Sequence, residues 1–280
     1  MTKFREKKGD SVESPSDFQS EGIKSTDYHH ISEDGLRPCA PARAQACERP
    51  KIVLNVLVAC EESQAECLAF RELGHNAYSC DIQPCRRNGH PEWHIMGDVT
   101  PLLHGETAFV TMDECQHDVH YWDLIICHPP CTYLTKLSSV QLHKNADGII
   151  VFGGRVLHVN HDRLCKMTKA REFFMECLNA NAKYVAVENP IPMRLAQLPR
   201  CSTYVCPSWF GVKYTKKTLY WLKGLPPIMA GTQYPNPKSF VNASRGKYRS
   251  RTFPQLAAAI AKQWSEFIIS EKESSLIDAK

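Results

Sequence analysis

From Ile52 onward, apolar residues gather in short runs separated by polar, turn-forming segments. Leu54 to Cys60 is nearly all apolar and predicts a buried first strand. Ser63 stands where it can cap a helix from about Gln64 to Leu73, which Gly74 stops. Further strands are predicted at 76–81, 94–99, 122–127 and 184–188, the second ending in Asp81, the third near Asp98 and the last in Glu188. Helical spacing returns over 168–179 and 253–268, with Pro254 in the first turn of the last helix. Alternating strands and helices predict an α/β fold with a doubly wound, mostly parallel sheet. Residues 135–165 are mixed and read as a mobile loop, hinged at Gly153-Gly154.

Residues 1–50 are rich in Ser, Glu, Asp, Lys and Pro and read as a disordered tail. The expected organisation is a core over 51–190, a small basic region over 191–250, a helix over 251–269 that completes the core, and a short tail over 270–280. No apolar run approaches the ~20 residues of a membrane span. The N-terminus lacks the apolar segment of a secretory signal. Thirteen cysteines, an odd number without a repeating framework, favour reduced thiols and a cytoplasmic setting. Cys80-x4-Cys85 and Cys201-x4-Cys206 have the look of zinc half-sites, but their spacing is at the loose end of the usual range and the sequence does not identify partner ligands, and no metal is expected.

The net charge of +4 hides an asymmetry. From Asn189 to Ser265 there are twelve Lys or Arg and no Asp or Glu, whereas the chain up to Glu188 has twenty basic and twenty-six acidic residues. A long stretch of one sign needs a counter-charge, and a phosphate backbone supplies one. Tyr204, Trp209, Phe210, Tyr214, Tyr220, Trp221, Tyr234 and Tyr248 are interleaved and are of a kind that stacks on bases. Nucleic acid is the expected partner.

The chemistry is expected at the strand ends. His128-Pro129-Pro130-Cys131 follows the fourth strand, so a stiff turn presents a thiol where α/β sheets bind ligands. Asp81, Asp98 and Glu188 would line the same edge. In Rossmann-like folds the carboxylate after the second strand commonly holds a ribose. The first strand lacks a glycine-rich turn and runs into Cys60-Glu61-Glu62-Ser63, which would repel a pyrophosphate. Those carboxylates suit a ligand with a ribose and an ammonium group, as in S-adenosylmethionine.

Here the chain resembles the cytosine-5 DNA methyltransferase family, in particular its small phage and prophage members, over about Leu54 to Trp264. Pro129-Pro130-Cys131 is similar to the family's Pro-Cys motif and Glu188-Asn189-Pro190 to its Glu-Asn motif. Phe210-Gly211-Val212 through Lys216 to Tyr220 resembles the segment supplying basic residues around the base. Thr252-Phe253-Pro254, before an Ala-rich helix, resembles the last motif, which closes the cofactor pocket. The resemblance implies a Rossmann-like class I methyltransferase fold and S-adenosylmethionine as cofactor. It implies a nucleophile at Cys131 that attacks C6 of a flipped-out cytosine, with Glu188 at the ring N3 and amine edge. Cofactor contacts are expected at Cys60, Glu61, Glu62, Asp81, Asp98, Pro129 and Thr252. DNA contacts are expected at Lys216, Lys217, Arg249 and Arg251. The thiol needs an environment favouring its anion, to which His128 and the basic segment would contribute.

Three features depart from the family. The first motif has no glycine after its strand. The family's Gln-x-Arg-x-Arg appears as Tyr214-Thr215-Lys216-Lys217-Thr218, with lysine for one arginine and threonine for the other. Only about thirty residues, Gly224 to Arg249, stand where a target-recognition region is usual. Two other readings remain open: a methyltransferase acting on the amine of adenine N6 or cytosine N4, and an inactive nucleic-acid-binding relative. The oligomeric state and target sequence are not legible.

Overall fold

A computed structural model of the chain describes residues 51–240 and 252–278. The expected N-terminal tail, Tyr248, Arg249 and Arg251 lie outside the described residues. The first strand, β1, spans Asn55–Ala59, followed by helix α1 at Ala65–Glu72 and strands β2 at Asn76–Asp81 and β3 at His94–Met96. A short helix α2, Thr100–Leu103, leads to a hairpin of β4, Ala108–Val110, and β5, Gln116–Asp118. Then come β6 at Leu124–Cys127, helix α3 at Ser139–His143, and strands β7 and β8 at Gly148–Phe152 and Arg155–Val159. Helix α4, His161–Leu178, precedes β9 at Tyr184–Pro190, β10 at Thr203–Val205, β11 at Tyr214–Thr215, β12 at Thr218–Lys223 and β13 at Lys238–Ser239. The C-terminal helix covers Pro254–Asp278 and runs beyond the expected 253–268.

Seven strands form one sheet in the order β10-β12-β9-β6-β1-β2-β3. β3, β2, β1, β6 and β9 are mutually parallel, and β12 runs antiparallel between β9 and β10. The chain leaves β1 to one side through β2 and β3, then returns to its other side with β6. This reversal is the switch point where doubly wound sheets open a crevice. The fold is the Rossmann-like, mostly parallel sheet that the apolar runs predict.

Central strands buried on both faces explain those near-continuous runs. Leu57, Ala59, Ile125, Cys127, Val185 and Val187 face one way, against α4 and the β4–β5 hairpin, with Phe174, Phe109 and Trp122 beside them. Val56, Val58, Leu124, Ile126 and Ala186 face the other way, against α1 and the C-terminal helix, where Phe70 and Trp264 are fully buried. Lys272 pins the C-terminal helix back onto the sheet at 2.6 Å from Asp123, whose other oxygen accepts the Asn55 amide.

Two parts of the sequence reading change. Residues 135–165 are not an open loop: β7 and β8 pair as a hairpin, and Gly153-Gly154, at φ 55° and 74°, is its tight turn. Segments read as a small basic region supply β10 and β12 to the main sheet.

Candidate active site at the strand ends

Strand register sets the site. Ala59 pairs with Cys80 on one side and Cys127 on the other, and Cys127 pairs with Val187. One residue further on, Asp81, Cys60, His128 and Glu188 therefore stand abreast across β2, β1, β6 and β9, and Tyr220 on β12 lies opposite Glu188.

The turn carrying Cys131 is sewn to the segment beyond Glu188. Met193 donates its amide to Leu134 at 2.7 Å, and Lys136 donates to Ile191 at 2.8 Å. Leu134 and Thr135 both donate to the Cys131 carbonyl, so the chain after Cys131 closes into a helical turn. Cys131 is half-buried, Pro129 buried and Pro130 exposed.

The turn after β1 is built without glycine yet takes glycine-like backbone angles. Cys60 has φ 60° and Gln64 φ 57°, a region that costs an ordinary residue about 1–2 kcal/mol. The Gln64 amide group locks its end: it donates to His90 carbonyl at 2.9 Å and accepts the His90 N–H at 2.7 Å. Helix α1 is not capped by Ser63 as the sequence predicts. Buried Glu61 accepts the amides of Glu66 at 2.8 Å and Cys67 at 3.2 Å, and Ser63 only donates to Glu61. Burial first, then the Glu66 charge, pushes the Glu61 carboxyl up to about 7, against the pull of His128 and the two amides. Glu62 forms a bidentate pair with Arg86 at 2.6 and 2.8 Å.

His128 lies between two carboxylates, with Nε2 3.1 Å from Glu66 and Nδ1 3.6 Å from Glu188. Burial alone would lower its pKa, but Glu66 and then Glu188 raise it well above the ordinary histidine range. Burial would raise Glu188, but His128 and Lys216 outweigh it and hold Glu188 below the usual carboxylate range. The expectation of a thiolate-favouring site at Cys131 is not met in this resting state. Burial and the Glu188 charge raise the Cys131 thiol, Lys216 only partly opposes them, and His128 is engaged by carboxylates instead.

Asp81, half-buried at the end of β2, accepts the Gln83 amide at 2.8 Å, and burial raises its pKa. Ile82 follows it and is 79% exposed. Asp98 is exposed and accepts the Thr100 amide at 3.0 Å, the turn role open to a Gly-Asp pair. Thr252, Lys216, Glu188 and Tyr220 share the lining of one small cavity of about 10 Å³. That is room for about one water. Lys217 is exposed, with its ammonium 4.0 Å from the Tyr204 ring centre. Of the interleaved aromatics, Tyr204 and Tyr234 are exposed, but Tyr220 and Trp221 are core residues and cannot stack on bases. Among the described residues, no group of three or more His, Cys, Asp or Glu is arranged to hold a metal ion.

Glu66 and Ile82 carry no expectation from the sequence, and His128 is expected only to favour the Cys131 anion. A signal for Glu66 was present. In Ala-Glu-Cys-Leu-Ala-Phe it shares the buried helix face with Cys67 and Phe70, and a carboxylate there demands a buried partner.

No family model and no curated relative matches the chain. Among solved structures it is similar to a prophage-encoded E. coli protein assigned as a DNA modification methyltransferase, at 12% identity over 67% of this chain and 53% of that one, with a TM-score of 0.37. It is similar to the S. pombe Dnmt2 methyltransferase at 12% identity over 63% of this chain and 51% of the other, TM-score 0.32. It is similar to the Entamoeba histolytica methyltransferase EhMeth at 11% identity over 68% and 58%, TM-score 0.32. The chain spans between 51% and 58% of the length of these structures. Overlaps this partial and this low in identity carry no weight for activity. Among the described residues, no helix is long and apolar enough to cross a membrane.

Proposed function

We propose that the protein is an S-adenosylmethionine-dependent methyltransferase acting at C5 of cytosine in DNA, through a transient bond from Cys131 to C6. The observation that carries this reading is the pairing of Cys131 with Glu188. Cys131 lies in the turn after β6 and Glu188 near the end of the adjacent parallel strand β9, and the two following segments are tied by the Leu134–Met193 and Lys136–Ile191 bonds.

The residues present fit the cofactor. Asp81 is a half-buried carboxylate at the end of β2 and would hold the ribose hydroxyls, while exposed Ile82 beside it offers an apolar face to the adenine. Glu61 and Glu66 concentrate buried negative charge at the β1 turn, where the ammonium end would lie, and Glu66 Oε1 has no partner there. When bound, S-adenosylmethionine would supply an electrophilic methyl group.

The chain's own residues do the rest. The Cys131 thiolate adds to C6, breaking the C5–C6 double bond and making C5 nucleophilic. Glu188 would accept from the exocyclic amine and, with a proton taken up as the base binds, donate to N3 as negative charge develops there. Lys216 is the charge that favours the thiolate, against burial first and the Glu188 charge second. After methylation a base removes the C5 proton and the C6–sulfur bond breaks, restoring the thiolate. The target base must leave the helix stack first, at a cost of a few kcal/mol.

The raised thiol gives weight to one alternative, a protein that binds nucleic acid without methylating it. Trapping separates the two. DNA carrying 5-fluorocytosine, incubated with the protein and S-adenosylmethionine, is expected to form a denaturation-resistant adduct. Cys131→Ser is expected to abolish the adduct and methyl transfer while keeping cofactor binding. No adduct and no transfer by wild type, with DNA still bound, would favour the binding-only reading. Transfer that survives in Cys131→Ser would favour methylation of an exocyclic amine.

A further inference from the structure

The chemistry assigned to Cys131 and Glu188 does not by itself call for a histidine wedged between Glu188 and a second buried carboxylate. Glu66 is fully buried on α1, so its charge needs a nearby counter-charge. His128, 11% exposed, is placed to give it, and its other nitrogen faces Glu188 Oε2 at the end of β9. A neutral imidazole carries one N–H and can satisfy only one of two flanking carboxylates; the imidazolium can address both. The backbone leaves little freedom, because the His128 amide donates to the Ala59 carbonyl at 2.9 Å and Pro129 follows. Glu188 is thus engaged through Oε2, while its Oε1 is buried and has no partner.

Among the described residues, the other charged or titratable groups around His128 and Glu188 are Glu61 from the β1 turn, Tyr220 and Lys216 from β12 and the segment before it, and the Cys131 thiol. Glu61, Glu66 and Glu188 would make three neighbouring negative charges. Of the groups named, only His128 and Lys216 oppose them.

We propose that His128 is a positioning residue: held by Glu66, its imidazolium faces Oε2 of the resting, ionised Glu188 and so sets the direction in which Oε1 meets the amine edge of the base. The inference rests on the role read for Glu188. The raised pKa of His128 accords with it, since the imidazolium then persists at neutral pH and is lost only as pH rises well above the ordinary histidine range. Losing that proton would leave Glu66 and Glu188 without their bridge.

The test has one arm that needs no catalysis. With carbon-13 in the glutamate side chains, and Glu188→Gln to assign the signal, the Glu188 titration is followed in wild type and His128→Asn. Wild-type Glu188 is expected to titrate below the ordinary carboxylate range, and to move up by more than about one pH unit in His128→Asn. A movement under about half a unit overturns the proposal. Should His128→Asn fail to fold, Glu66→Gln decides: the nitrogen-15 titration of the His128 ring must fall to lower pH, and an unchanged midpoint overturns the proposal.

The second arm uses methyl transfer. His128→Asn is expected to lower kcat about tenfold or more, but less than about twofold in a Glu188→Gln background, because the histidine acts through Glu188. Equal losses in both backgrounds would mean a merely structural role and overturn the proposal. If wild type transfers no methyl group, the cytosine reading falls, and the Glu188 titration still decides the grip of His128.

Discussion

Glu61→Gln is expected to make the protein more stable at pH 8 and to leave it nearly unchanged at pH 5. Glu61 is 5% exposed, and its carboxyl is pushed from 4.5 to about 7, by burial first and the Glu66 charge second. A carboxyl whose pKa is raised on folding binds more protons in the native state than in the unfolded state. Between the two values, stability therefore falls as pH rises. The rise from 4.5 to about 7, at about 1.4 kcal/mol per pH unit, removes roughly 3 kcal/mol by the time both states are ionised. Glutamine has the same shape and no charge, and its oxygen can still accept the Glu66 amide, now at 2.8 Å. Its NH2 would face the Cys67 amide, so about 1 kcal/mol of hydrogen bonding is lost at every pH. The variant should thus lie within about 1 kcal/mol of wild type near pH 5 and lead it by about 2 kcal/mol near pH 8. For a folded body of this size that is a lead of roughly 4–8 °C in Tm. Melting curves or urea titrations at four pH values would measure it, and other titrating groups largely cancel in the difference. A gap that stays constant from pH 5 to 8 would refute the reasoning. If Glu61 holds the ammonium end of the cofactor, the same variant should bind S-adenosylmethionine more weakly while melting later.

Two further outcomes are expected. DNA affinity should fall steeply with salt because cations are released from the phosphates, and Lys217→Glu should lower both the affinity and the slope of that dependence; an affinity flat between about 50 and 200 mM salt would leave the basic stretch as solvated surface. Gln64→Gly should be more stable than Gln64→Ala by roughly 1 kcal/mol in urea unfolding. This reverses the usual helix preference, because φ at that position is 57°; equal stabilities would show the left-handed angle to be no constraint.

Much of this was legible because a parallel sheet buried on both faces writes its strands as apolar runs. The first polar residue after each run is a residue at the crevice. Asp81, His128 and Glu188 are of that kind, and the register places them abreast. What was not legible depended on pairing across the fold. Tyr220 and Trp221 look like a base-stacking pair in a basic segment, but β12 is inserted beside β9 and buries both. That Glu61 caps α1 was not legible, since nothing in the letters shows that Ser63 points elsewhere. Residues 135–165 alternate too weakly to reveal β7 and β8, because Ile149, Val151 and Val156 are apolar on the exposed face. The carboxylate partner of His128 was not legible, because α1 brings Glu66 to it from sixty-two positions away.

The left-handed turn between β1 and α1 shifts an energetic burden in time. A glycine at Cys60 or Gln64 would roam widely in the free protein and have to be frozen when a ligand arrives. Here the awkward angles are imposed during folding, and at Gln64 the amide pair with His90 holds the turn in place. The lip of the crevice is consequently stiff before anything enters it. Association there owes little ordering entropy, and a ligand that does not match the preset turn cannot reshape it to fit.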